Sequence, residues 1–205
     1  MMKFTATSIA LLSGLAVLMG TPAAQAASPQ PVIAQLSEDM KAAIALHDEG
    51  IDKLQEGDVE GAISDFSKAI KAQPRFSLAY YHRGRAQEMM QNLDAAIKDY
   101  TQAIQVNENW GGLELPAVYV SRGNARDDNG DPEGALSDYG EALKINKNYG
   151  LAYENRGITY IRLNKRSEAL QNLNQAAQSY KEQGLEREYN RVMQTIEKIQ
   201  SAPQS

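Results

Sequence analysis

Cysteine is absent from the 205 residues, which removes disulfide frameworks, thiolate metal sites, thiol nucleophiles and lipid attachment through sulfur at once. Histidine is nearly absent too, since His47 and His82 are the two in the chain, so imidazole chemistry is scarce. Excess positive charge is missing. The formal net charge is -5, whereas a grip on nucleic acid or anionic lipid needs clustered Lys and Arg. No GxSxG elbow, HExxH pair or Walker-type phosphate loop occurs. Long apolar runs are also lacking: the most apolar stretch, Ile9 to Met19, spans 11 residues, short of the roughly 18 that cross a bilayer. Hydrophobic residues nevertheless make up 42% of the chain, enough to build a core of ordinary size.

The Ile9–Met19 stretch follows Lys3 and precedes Pro22 and the small-residue run Ala24-Gln25-Ala26. That is the layout of a secretory signal peptide over residues 1–26, cleaved after Ala26. It predicts an exported protein with no stable membrane insertion, in a periplasm or, in a photosynthetic organism, a thylakoid lumen. Residues 27–36, with Pro29 and Pro31, read as a flexible leader. Ser37 then caps a helix whose first turn carries Glu38 and Asp39 at its positive end. A folded domain is expected over residues 37–200, with residues 201–205 as a disordered tail.

Repetition dominates that domain. Gly50, Gly84, Gly123 and Gly157 are separated by 34, 39 and 34 residues. Twelve residues after each comes an alanine (Ala62, Ala96, Ala135, Ala169), and seven further on another (Ala69, Ala103, Ala142, Ala176). A large apolar residue sits between the alanines (Phe66, Tyr100, Tyr139, Leu173), and another lies four before each glycine (Leu46, Tyr80, Tyr119, Tyr153). Small residues let two antiparallel helices approach, and the large ones fill the space between successive pairs. Turn-rich segments such as Glu56-Gly57-Asp58 and Asn129-Gly130-Asp131-Pro132 join the helices within each pair.

This glycine, alanine and aromatic spacing at a 34-residue period resembles the tetratricopeptide repeat family. The bacterial and cyanobacterial exported members are the nearest in pattern. The resemblance implies an all-α fold, an α-solenoid of four helix pairs over about 43–76, 77–110, 116–149 and 150–183. A stripe of Leu185, Tyr189, Val192, Ile196 and Ile199 predicts a C-terminal capping helix over 185–200. The departures are Glu108 and Lys147 at the slot that Pro74 fills in the first repeat, and Leu173 where an aromatic is usual.

The resemblance implies a protein or peptide partner held in the concave groove, with no cofactor, no metal and no catalytic residues. The groove candidates it points to are His47, Tyr81, His82, Arg85, Asn124, Glu154, Ile158 and Arg162. Family members that clamp a chaperone's C-terminal carboxylate use Lys, Asn and Arg on these helices; here His47, Ile51, His82, Ala117 and Ser121 hold the equivalent slots, so no such clamp is expected. The surplus in the middle interval falls at residues 109–115, a surface loop with Trp110, which serves either as a contact for a partner or as a lid over the gap between repeats. On the surface-loop reading, deleting Gly111 to Leu115 leaves a folded protein.

Two other function classes compete: an enzyme or metal-binding protein using groove residues, and a self-assembling structural array. Asp127, Asn129, Asp131, Glu133 and Asp138 imitate a calcium loop, but Pro132 stands where that loop needs glycine. Finally, Arg83, Arg122 and Arg156 precede their glycines while Glu49 precedes the first, and Asp65, Asp99, Asp138 and Asn172 precede the large inter-alanine residues. Pairing between neighbours leaves no orphan, so the expected staples are Arg83 with Asp65, Arg122 with Asp99 and Arg156 with Asp138.

Overall fold

The computed structural model describes residues 37–108 and 110–201. The expected signal peptide over residues 1–26, the expected leader over 27–36 and residues 202–205 of the expected tail lie outside the described residues, while Ser201 ends the last helix. Among the described residues there are nine α-helices and no strand: α1 (Glu38–Glu56), α2 (Val59–Ala72), α3 (Ser77–Met89), α4 (Leu93–Val106), α5 (Leu115–Asp128), α6 (Pro132–Ile145), α7 (Gly150–Arg162), α8 (Arg166–Glu182) and α9 (Glu186–Ser201). Ser37 caps α1 by accepting from the Met40 amide at 3.2 Å. Asp58 and Asp131 cap α2 and α6, each accepting from the glycine amide three residues on at 2.9 Å. No helix among the described residues is long and apolar enough to cross a membrane.

The glycines are spacers. A Cβ on Gly123 would stand 2.6 Å from the Tyr139 ring, one on Gly84 2.8 Å from Tyr100, and one on Gly50 2.7 Å from Phe66. Each ring packs directly against the glycine of its own helix pair, and the flanking alanines are fully buried. The apolar interior is therefore a row of clusters along the stack, each shared by a pair and its neighbour. Fully burying a side chain such as Phe66 contributes about 1.5–3 kcal/mol.

Consecutive helices pack against one another throughout, and α1 also touches α3 and α5 touches α7, whereas no comparable contact joins α2 to α4 or α6 to α8. The first helices of the pairs thus lie on the inner side of the curve. Helix α9 closes the far end. Val192 and Ile196 are buried against Leu173, Ala177 and Tyr180, with Tyr189, Met193 and Ile199 partly covered. Leu185, expected on this stripe, precedes the helix and is 39% exposed; Met193 supplies a contact in its stead.

The staples pair within repeats, which corrects the neighbour pairing. Arg83 donates to Asp99 through Nε at 2.8 Å and Nη2 at 2.6 Å, and Arg122 donates to Asp138 at 3.0 and 2.6 Å. Arg156 meets Asn172 at 2.6 Å. The reason is the glycine itself: the close approach it permits brings the preceding arginine against the second helix of the same pair. Asp65 is not left alone, because Lys53, one turn past Glu49, and Lys68 both donate to it. Each arginine also lies over the tyrosine one turn earlier, 5.7 Å for Arg83 on Tyr80, 5.5 Å for Arg122 on Tyr119 and 5.4 Å for Arg156 on Tyr153.

The insertion between the second and third pairs folds back on the stack. Trp110 and Leu113 pack against the cluster of Tyr100, Ala103 and Val118, and the Trp110 indole N–H donates to Asn107 Oδ1 at 2.9 Å. Gly111 and Gly112 turn the chain at φ of 58° and 93°, backbone that a larger residue resists. Glu108 and Ser77 exchange hydrogen bonds at 3.1 and 3.0 Å, tying the end of the second pair to its own beginning.

Candidate functional site

The inner face is built from α1, α3, α5 and α7. At its first end an aromatic run crosses from α1 to α3. His47 Nε2 lies 2.7 Å from His82 Nδ1, and the His47 ring is flanked by Phe76 at 5.3 Å and Phe66 at 5.6 Å. His47 Nδ1 is 3.1 Å from the Asp48 carboxylate, an acceptor only. That assigns the Nδ1–H tautomer to His47, so its Nε2 accepts from His82. Burial lowers the pKa of both: His47 falls despite Asp48, and His82 falls to about 3, with His47 and Arg85 adding to the effect. The pair is a neutral hydrogen-bonded element of the wall between the first two repeats.

Beyond it Tyr81 packs 5.2 Å from His82 and 5.7 Å from Tyr100, and the exposed Arg85 guanidinium lies 6.0 Å over the Tyr81 ring. Glu88, one turn on, accepts the Tyr100 hydroxyl. Burial raises the Glu88 carboxyl above its ordinary range against the opposing influence of that hydrogen bond, and burial together with Glu88 raises the Tyr100 hydroxyl. Tyr81, Arg85 and Glu88 form a half-open aromatic and charged step on α3.

The other end is bridged. Asn124 Oδ1 accepts from the Tyr139 hydroxyl at 2.9 Å and from Asn155 at 2.7 Å, joining α5 to α7. Arg162 pairs with Asp127 at 2.8 Å and Asp128 at 3.4 Å, and Thr159 donates to Asp127 at 2.7 Å. Ile158 is half-buried. Glu154, expected among the groove contacts, is buried: it accepts from the Tyr180 hydroxyl at 2.7 Å and from Arg191 at 3.0 and 2.8 Å. Its place is the lock between α7 and the capping helix. Tyr180 itself has no glycine-register signal; it slides under Gly150, where a Cβ would stand 2.8 Å from its ring. Three acidic residues of the calcium-like pattern are engaged in a cap and ion pairs, Asp127 with Arg162, Asp131 on the Gly134 amide and Asp138 with Arg122 and Arg126.

Of the expected set, then, the fold brings His47, Tyr81, His82 and Arg85 together at one end and Asn124, Ile158 and Arg162 at the other, with Trp110 in the insertion between the second and third pairs. The missed partners are Phe76 and Tyr100, whose side chains reach this face from the start of α3 and from a core slot of α4. The short Gly84–Tyr100 approach aims Tyr100 here.

The architecture defines an all-α helical-repeat solenoid. Residues 77–109 match one family model described as tetratricopeptide repeat and residues 116–149 match another, so the second and third helix pairs are tetratricopeptide repeats. No curated protein matches the sequence. Among solved structures, a crystal structure of MamA is 23% identical with a TM-score of 0.63, over 69% of this chain and 80% of that one. A tetratricopeptide repeat protein from Parabacteroides merdae is 22% identical with a TM-score of 0.57, over 76% and 66%. The first such domain of Spaghetti (RPAP3), bound to the HSP90 peptide SRMEEVD, is 22% identical with a TM-score of 0.55, over 60% and 94%. These likenesses are ones of fold.

Proposed function

We propose that the chain is a non-enzymatic protein-interaction scaffold or assembly factor, exported from the cytoplasm, that holds a peptide or protein segment along its inner face at the α3 step. The observation that carries this is the contrast along that face. Side-chain hydrogen bonds join α1 to α3 and α5 to α7, whereas among the described residues Tyr81, Arg85 and Glu88 present an aromatic ring, a cation and a carboxylate with no hydrogen bond to α5. An amphipathic ring beside a stacked arginine is the composition of an interaction hot spot. The Spaghetti (RPAP3) domain, similar in fold, was solved with a peptide bound, which supports the class of ligand. Export rests on the signal-peptide pattern of residues 1–26.

A photo-crosslinking residue placed at Tyr81 in cells should capture a discrete partner, while the same residue at the exposed Lys98 of α4 should not. Arg85→Ala in the Tyr81 background should abolish the adduct with helical content unchanged. Equal capture from both positions, or capture indifferent to Arg85, would remove the inner face as the binding surface. Recovery of the chain with Ala27 as its first residue, from an extracytoplasmic fraction, tests the export.

A further inference from the structure

Three arginines precede a spacing glycine, and the fold satisfies them unequally. Arg83 spends Nε and Nη2 on Asp99 and donates Nη1 to Ser67 Oγ at 3.1 Å. Arg122 repeats this with Asp138 and with Thr101 Oγ1 at 3.1 Å. Ser67 and Thr101 stand two residues after the aspartate of the preceding repeat, and in the third repeat that register position is Gly140. A side chain there would meet nothing within 4 Å. Arg156 therefore has no hydroxyl partner, and in place of an aspartate it has Asn172, whose oxygen takes Nε at 2.6 Å while its amide nitrogen donates to the Glu168 carbonyl at 2.8 Å. Among the described residues neither terminal nitrogen of Arg156 has a hydrogen-bond or ion-pair partner. No buried side-chain nitrogen or oxygen among them lacks a partner, so these N–H groups face open space.

That space is a pocket of about 360 Å³ between α7 and α8, lined by Tyr153, Arg156, Tyr160, Gln171, Asn172 and Gln175. The guanidinium is held over Tyr153 as its counterparts are held over Tyr80 and Tyr119. The orientation that receives a carboxylate in two repeats is preserved in the fourth, where Asn172 supplies one acceptor oxygen and no negative charge. We propose that this pocket binds a carboxylate carried by a peptide segment, which docks on the two terminal nitrogens of Arg156 beside Asn172, while Asn172 keeps Nε. A planar carboxylate matches the arginine fork, and the amides of Gln171 and Gln175 add donors at the wall. Glu168, the one acidic lining residue, forms no ion pair with Arg156 and opposes an incoming anion. The pocket is separate from the α3 step and stands or falls independently of it.

The carboxylate comes from a side chain or from a chain terminus, and three probes separate these: acetyl-Ala-Ala-Ala, acetyl-Ala-Glu-Ala-amide and inorganic phosphate. Each is titrated into the full-length exported chain while the arginine Nε–Hε NMR signals are followed, with Arg156→Lys identifying the Arg156 signal. The expected result is a saturating shift of Arg156 with at least one peptide, no shift of Arg83 or Arg122, and at least tenfold weaker binding of phosphate. Asn172→Asp supplies the carboxylate internally, as Asp99 and Asp138 already do, so it should abolish the shift while raising the thermal midpoint; Glu168→Gln should tighten binding. The proposal is overturned if neither peptide gives a saturating shift, if all three arginines move alike, if phosphate binds as well as the peptides, or if Asn172→Asp folds and leaves peptide binding unchanged.

Discussion

At the scale of single residues, the arginine before each glycine shows how one backbone contact decides electrostatics. Arg122 and Asp138 are almost wholly removed from solvent, with side chains 12% and 2% exposed. A bidentate pair so placed couples more strongly than a surface pair. A double-mutant cycle on Arg122 and Asp138 should give a coupling above about 1 kcal/mol, and one on Arg122 and Asp99 close to zero, both read from denaturant unfolding. The histidine pair gives a pH prediction. Both histidines have folded pKa values below the ordinary 6.5, that of His82 near 3. The unfolded chain takes up their protons first, so stability is full above about pH 6.5 and declines as pH falls from there toward 3. Asp65, whose pKa is lowered chiefly by Lys53, loses its contribution only in more acidic solution, below its ordinary 3.8. Thermal midpoints between pH 7 and 5 should therefore slope downward in the native chain and flatten in His82→Gln.

At the scale of elements, α9 is the test of what a cap does. Without it Leu173, Ala177 and Tyr180 would face water, and Glu154 would lose Arg191. Ile196 is 3% exposed and Leu185 39% exposed, although both belong to one stripe in the sequence. Ile196→Ala should cost about 2–5 kcal/mol in urea unfolding, and Leu185→Ala less than about 0.5 kcal/mol. Equal losses would mean that the helix docks one turn earlier than its packing shows. The stripe was legible because a period of 3.6 needs no tertiary information. Which member sits outside it depended on Gly184, which turns the chain at φ 71° so that α9 begins at Glu186.

At the scale of the molecule, stability is a sum of repeats and the interfaces between neighbours. The insertion lies at the interface of the second and third pairs, and Trp110 and Leu113 are built into its cluster. Treated as surplus surface chain, residues 111–115 are dispensable; packed as they are, their removal should weaken that interface and separate the two halves. Trp110 is the sole tryptophan, so its fluorescence reports the junction while circular dichroism reports all helices. The intact chain should show one coincident urea transition, and the chain lacking Gly111 to Leu115 two displaced ones. Coincident curves after deletion would show that the loop carries no coupling.

The sequence by itself determined the helix pairs, their register and the capping helix, because the Gly–Ala–aromatic period is a statement about which faces must be small and which must be large. It also marked His47, Tyr81, His82 and Arg85 as neighbours in register. Tertiary structure alone decided which of these touch. Whether Arg83 meets Asp65 or Asp99 turns on a few ångströms of helix approach, and both pairings satisfy the same spacing arithmetic. Glu154 reads as a groove residue until α9 folds over it and Arg191 claims it. The unmatched fork of Arg156 needs Asn172 and Gly140 to be seen together, two unremarkable residues 32 positions apart that only the packing of three helices brings to one guanidinium.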